Sequence, residues 1–324
     1  MKTLEKHVAL NASYRRSWQE YYASLTSTDL NVKLMALTSG MDSESCELCH
    51  IQAELVPYFF PHRLLRTAFM PTGSNRGFLP AKTREALEKA GFFSGQESRI
   101  DEIQKELNLP FEPLPELLTH SGLSYLPELA RHWIEGKVVI DGGAFMGDTA
   151  KLFLQFYSPK TIFAIEPSKE SFSKLSELVS EWRVQESIKP LRYMLSDTVG
   201  SETLWGSGVG ASIIKKEPEG SAPSEIIPSS TIDTLVSKHE IKRVGFIKLD
   251  IEGNEMRAVR GAVETLRRDK PLLVISIYHT ATDFFEIKPF LEQMDLGYRF
   301  LVRKISDDIL KELVLICMPN NGEI

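Results

Sequence analysis

From Lys137 onward, short apolar runs alternate with amphipathic helical stretches, and this alternation limits the possible folds more than any other feature of the chain. Lys137 to Asp141, Thr161 to Glu166, Gly245 to Asp250 and Leu272 to Tyr278 read as strands, with a weaker one at Leu191 to Leu195 and two closing strands at Tyr298 to Arg303 and Leu313 to Met318. Between them lie helices. One begins near Asp148. A second is capped by Ser168 and repeats Phe172, Leu175, Val179 and Trp182 at helical spacing, and a third is buried through Met256, Val259, Val263 and Leu266 until Pro271 stops it. Such alternation implies an α/β fold, a doubly wound and mostly parallel seven-stranded sheet of Rossmann-like type.

The first part of the chain reads differently. Helical patterns are broken by loop chemistry at Pro71 to Gly77 and resume over Ala81 to Lys89, and Asp42-Ser43-Glu44-Ser45 looks like a helix start. We expect residues 1–125 to form a helical N-terminal region that covers the substrate or mediates dimerisation, and residues 126–324 to form the ligand-binding domain. Asp141, Glu166 and Asp250 each end a strand, where ligands of open α/β sheets bind. After Asp141 come Gly142, Gly143 and Gly147, so the backbone turns sharply and a ligand can approach it, with the N–H groups of the next helix nearby. A side chain at position 143 is expected to occupy that approach. Glu166, 25 positions after Asp141, can accept both ribose hydroxyls of an adenosine cofactor.

The loop Asp141-Gly142-Gly143-Ala144-Phe145-Met146-Gly147 lacks the G-x-G-x-x-G spacing, and Phe145 and Met146 stand where a pyrophosphate needs room. No Gly-Lys-Ser/Thr follows, which excludes a P-loop. S-adenosylmethionine, a single adenosine with a methionine tail, suits the loop better. Net charge of −6 and a pI near 5.8 argue against a general nucleic-acid partner and for a small-molecule acceptor. The charged N-terminus has no signal-peptide core, and no apolar run reaches membrane-spanning length, so the expectation is a cytoplasmic protein without a membrane partner, any homodimer contact being left to the N-terminal region. Cys46-Glu47-Leu48-Cys49-His50 matches a haem-attachment pattern, but it reads as a helix and follows no export signal, so partly buried helix cysteines are expected.

The chain resembles the FkbM-type methyltransferases. The resemblance rests on Val138 to Ala144 with Gly147-Asp148-Thr149, on Phe163-Ala164-Ile165-Glu166-Pro167 and on Ser230 to Leu235. It continues through Ile247-Lys248-Leu249-Asp250-Ile251-Glu252-Gly253-Asn254-Glu255, Arg260-Gly261-Ala262 and Ile275 to His279, over residues 137–305 in all. It implies a class I methyltransferase fold with the last strand antiparallel, and O-methylation of sugars or other hydroxylated metabolites. It also implies that Asp197, after the third strand, contacts the adenine amino group.

Methyl transfer to a hydroxyl needs in-line positioning and gains from a base. His279 ends the fifth strand with a side chain that titrates near neutrality, and is the first candidate for base; Glu252 is the second. His279 as a helix cap is the competing account. Asp250 and Glu252 are also suited to holding the cofactor, orienting the imidazole or binding a hard cation, although no metal is expected to be required. Two other functions stay open: a nicotinamide oxidoreductase, which the glycine spacing disfavours, and a cofactor-binding protein without catalysis.

Overall fold

The structure is a computed structural model that describes residue 23 and residues 29–59, 97–204, 225–306 and 312–319. The stretches 71–77 and 81–89 lie outside the described residues. The chain runs through helices α1 (Leu30–Thr38), α2 (Ser43–Phe59) and α3 (Glu97–Leu107), a 3-10 segment (Pro115–Tyr125) and α4 (Pro127–Ile134) before the first strand. Then follow β1 (Val138–Gly142), α5 (Asp148–Tyr157), β2 (Thr161–Ile165), α6 (Lys169–Glu181), β3 (Ile188–Leu191), β4 (Met194–Leu195), β5 (Gly200–Leu204) and β6 (Glu225–Ser230). The remainder is α7 (Ile232–Lys238), β7 (Val244–Leu249), α8 (Glu255–Arg260), α9 (Val263–Asp269), β8 (Leu272–Ser276), α10 (Ala281–Gln293), β9 (Tyr298–Lys304) and β10 (Leu313–Pro319).

Seven strands form one sheet in the order β3-β2-β1-β7-β8-β10-β9, and β10 alone runs against its neighbours. This is the class I methyltransferase arrangement, with the last strand antiparallel as expected. The central strands are mostly apolar because both faces are covered, Asp141 in β1 and Lys248 in β7 being the charged exceptions. In β1, Val139 turns to one face and Val138 and Ile140 to the other, and the two layers of core follow that alternation along every neighbour. The N-terminal region supplies a helical layer to each face: Leu34, Leu37, Leu48 and Cys49 join one core, Leu107, Leu117 and Leu123 the other. Each buried leucine contributes about 1.5–3 kcal/mol. Arg303 of β9 donates to both carboxylate oxygens of Asp42, at 2.6 and 3.2 Å, fastening the start of α2 to the sheet edge.

Three local differences from the sequence reading have physical causes. The third strand is Ile188–Leu191, not 191–195: Pro190 is tolerated because β3 is an edge, and Met194–Leu195 instead pairs with β6 in a separate small sheet, order β4-β6-β5. The helix read through Met256 and Leu266 is two helices that part at Gly261, where a Cβ would lie 2.1 Å from the Ser196 carbonyl oxygen, too close for any other residue. The cap of α10 is Thr280, whose Oγ1 accepts from the Asp283 N–H at 3.0 Å, so His279 is not needed for it.

Candidate functional site

The turn from β1 to α5 is a rigid bracket. Gly143 and Ala144 donate their N–H groups to the Ile165 carbonyl at 3.0 and 3.1 Å, binding the turn to the end of β2. Gly143 has φ +74°, and a Cβ there would stand 1.8 Å from the Asp250 carbonyl oxygen. The neighbouring strand end therefore demands glycine here before any ligand does. For Gly143→Ala we expect left-handed strain of about 1–2 kcal/mol with a comparable overpacking cost, about 2–4 kcal/mol together. Thermal unfolding should then shift down by roughly 5–15 °C for a chain of this size, and a shift under about 2 °C would refute the clash.

Around the bracket, charges are buried in pairs. Asp141 has no exposed surface, its Oδ2 accepts from Thr149 Oγ1 at 2.7 Å and its Oδ1 lies 3.5 Å from Lys248 Nζ. It is thus turned inward, not into open crevice. Lys248 Nζ also donates to the Gly143 carbonyl at 2.9 Å. Burial works against the lysine's charge, but Asp141 first, then Asp250, Glu116 and Asp148, hold its pKa above the usual range. Asp148, at the first turn of α5, is pushed up to about 6 by burial, with Lys248 and the Thr149 N–H opposing. Glu166 follows β2. Its Oε2 accepts from the Phe145 N–H at 3.0 Å and its Oε1 from the Ser168 N–H at 2.8 Å. Burial raises it to about 7 in spite of those two bonds.

The second group of residues lies past β7 and β8. Glu255 opens α8 fully buried, its Oε1 accepting from the Ile251 N–H at 2.8 Å and its Oε2 from the Gly253 N–H at 2.9 Å. His279 is 3% exposed; its Nδ1 lies 2.9 Å from Glu255 Oε1, and its Nε2 lies 3.6 Å from Asp250 Oδ1 and 3.9 Å from Glu252 Oε2. Burial alone would discharge the imidazole. Glu255 first, then Glu252 and Asp250, overcome it and push the pKa up to about 10. This differs from the free, near-neutral imidazole that the sequence suggests, because three acids converge on it. Tyr278 Oη reaches Glu312 Oε1 at 3.1 Å and Asp250 Oδ1 at 3.5 Å. Asp197, expected near an adenine, is instead bound by Arg257 Nε at 2.9 Å, while Arg257 also holds Glu202 at 2.7 Å. Burial opposes the Asp197 charge, and the guanidinium still brings its pKa below the ordinary carboxylate value.

Residues 141–300 match the family model described as the methyltransferase FkbM domain. That stretch is a methyltransferase FkbM domain. Over 137 residues it is 29% identical to the hexuronic acid methyltransferase AglP of Haloferax volcanii, a stretch that covers 42% of this chain and 54% of that protein. The match thus spans about half the length of this relative. Among solved structures, the methyltransferase FkbM from Methylobacillus flagellatus is 17% identical with a TM-score of 0.45, covering 81% of this chain and 71% of the other. Aeropyrum pernix fibrillarin, crystallised with natively bound S-adenosyl-L-methionine, is 15% identical with a TM-score of 0.39, covering 62% and 74%.

Within the FkbM domain, Asp141, Glu166, Asp250, Glu252 and His279 all gather at the carboxyl ends of the parallel strands, with Gly142, Phe145, Gly147, Asp148 and Thr149 in the bracket between them. Asp197 stands apart, in its ion pair beside the small sheet. Sequence reasoning missed Lys248 and Glu255 as site residues, and Glu116 and Glu312 altogether. Burial, then Glu312, Asp148 and Asp250, raises Glu116 well above an ordinary glutamate, so the 3-10 segment of the N-terminal region brings an acid to the same crevice. A buried lysine inside an otherwise apolar strand was the available signal for Lys248, since such a charge requires a partner.

Proposed function

We propose that this protein transfers the methyl group of S-adenosylmethionine to a hydroxyl oxygen of a sugar or similar small hydroxylated metabolite. The observation that carries the reading is the placement of Glu166, a buried carboxylate fixed by the Phe145 and Ser168 N–H groups at the end of β2, beside the glycine bracket. The donor set fits the cofactor: Asp148 Oδ2 is a buried acceptor with no hydrogen bond, and S-adenosylmethionine brings an ammonium and two ribose hydroxyls as donors. The relative named for hexuronic acid supports a sugar acceptor.

When bound, the cofactor supplies a methyl group activated by its sulfonium. The chain's own part is to position. Glu166 takes the ribose diol, Asp148 and the bracket take the methionine end, and the acceptor oxygen is held in line from the β7–β8 side, a geometry whose entropic advantage reaches several kcal/mol. Residues 1–125, through Glu116, shape the acceptor side. Glu252 receives the hydroxyl proton as the new C–O bond forms, because the imidazole of His279 already holds a proton at neutral pH.

Calorimetric titration with S-adenosylhomocysteine tests the cofactor site. Glu166→Ala should lose about 1–3 kcal/mol of binding, the scale of a charge-assisted hydrogen bond. The wild type should also bind more tightly at pH 8 than at pH 6. Below about 7 Glu166 is protonated, and that proton must leave before both oxygens accept from ribose. Equal affinities at the two pH values, or in the two proteins, would remove Glu166 from the site.

A further inference from the structure

His279 is buried, and neither of its ring nitrogens makes a hydrogen bond. The 2.9 Å contact to Glu255 is off the N–H direction, and the distances to Asp250 and Glu252, 3.6 and 3.9 Å, exceed hydrogen-bond length. Buried polar groups are nearly always partnered, and an orphaned imidazole among three carboxylates points to a missing ligand. Those acids are not loosely placed: the Ile251 and Gly253 N–H groups clamp Glu255, and Tyr278 Oη stands at 3.5 Å from Asp250.

The spacing identifies the ligand's chemistry. Bonds from a divalent ion to oxygen or imidazole are about 2.0–2.3 Å, so the donors around one ion lie roughly 3–4.5 Å apart. One donor atom each from Asp250, Glu255 and His279 all lie within 4.8 Å of one another. Shifts of a few tenths of an ångström close such a set, whereas hydrogen bonds would need the ring to turn. The local charge agrees: the carboxylates of Asp250 and Glu255 balance a divalent ion, which would displace a proton from the imidazole nitrogen that ligates it. Among the described residues this is the one group of histidine, cysteine and acidic side chains so arranged.

We propose that Asp250, Glu255 and His279 hold a divalent cation beside the acceptor crevice, with open positions for neighbouring hydroxyls of the acceptor. One imidazole and two carboxylates suit a first-row ion such as Mn²⁺ better than Ca²⁺. The ion's binding stands on the geometry alone; its task rests on the hydroxyl-methylation reading. There it would draw charge from the acceptor oxygen, so that the proton passes more readily to Glu252 while the C–O bond forms and the C–S bond breaks.

The full-length protein, stripped with chelator, should be titrated with Mn²⁺ while electron paramagnetic resonance reads the free ion. The expected result is one ion per chain, with affinity reduced about 10–100-fold in both Asp250→Asn and His279→Gln. No binding by the wild type up to about 1 mM, the weak end of protein cation sites, overturns the proposal, as does unchanged affinity in Asp250→Asn. The partly exposed Asp250 decides the matter if His279→Gln fails to fold. Titration of the metal-free wild type with S-adenosylhomocysteine reads the cofactor alone, so loss of one reading is separable from loss of the other.

Discussion

Lys248→Met should lower the stability of this protein by about 3–5 kcal/mol, the cost of removing one member of a buried ion pair. The methionine fills a similar volume, so packing is not the cause. What is lost is the cation facing Asp141, whose Oδ1 lies 3.5 Å from the lysine, and the donor to the Gly143 carbonyl at 2.9 Å. Asp148 and Glu116 add negative charge around the vacated position. For a chain of this size the change corresponds to a fall of roughly 6–20 °C in the melting temperature. A double variant, Lys248→Met with Asp141→Asn, should recover part of the loss, because the stranded carboxylate is removed as well. If the single variant melts within about 2 °C of wild type, or the second substitution adds its own full cost, the pair is not what holds β1 against β7.

The reach of the sequence ended where contacts became long-range. Val138 to Gly142 and Val244 to Leu249 were readable because strands covered on both faces are apolar at nearly every position, and the class I sheet followed from their alternation with helices. β5 and β6 were not: Gly200–Leu204 begins with exposed, polar residues and shows no period of two that would set it apart from a loop. Among the candidate site residues, Asp141, Glu166, Asp250 and His279 were visible because each stands at a strand end. Their surroundings were not. Asp141 and Lys248 are 107 positions apart, and nothing in the local pattern says that they meet. Likewise the three acids around His279 all come from one other segment, Asp250 to Glu255, so the sequence offered a histidine of ordinary basicity where the fold makes a strongly protonated one. For Asp197 the partner that the sequence did not reveal is Arg257, 60 positions on, which pairs with its carboxylate.

Glu252→Gln should lower turnover by about 10²–10⁴-fold, the usual contribution of a positioned base, while leaving the affinity for S-adenosylhomocysteine within about twofold. Three acids surround His279, and they are not equivalent. Glu255 is fully buried and spends both oxygens on backbone N–H groups, so it has no route to pass a proton to water. Asp250 is held near Tyr278 Oη. Glu252 retains 22% of its side-chain exposure, lies 3.9 Å from His279 Nε2 and occupies φ +58°, a left-handed backbone that costs a non-glycine residue about 1–3 kcal/mol. Gly253, at φ +97°, completes a turn that the surrounding bonds to Glu255 enforce. Strain of that kind persists where the fold must aim a side chain, and here it aims the carboxylate that can both meet an acceptor and exchange with solvent. The measurement is transfer of labelled methyl from S-adenosylmethionine to D-glucuronic acid as trial acceptor, under single turnover, with calorimetry on the same preparations. Glutamine keeps the size and polarity of the side chain and removes only its capacity to take a proton. A variant that turns over at the wild-type rate would show that the acceptor loses its proton elsewhere; a wild type inert toward glucuronic acid would remove that sugar acid from the proposed acceptors and leave the base to be tested on another hydroxylated compound.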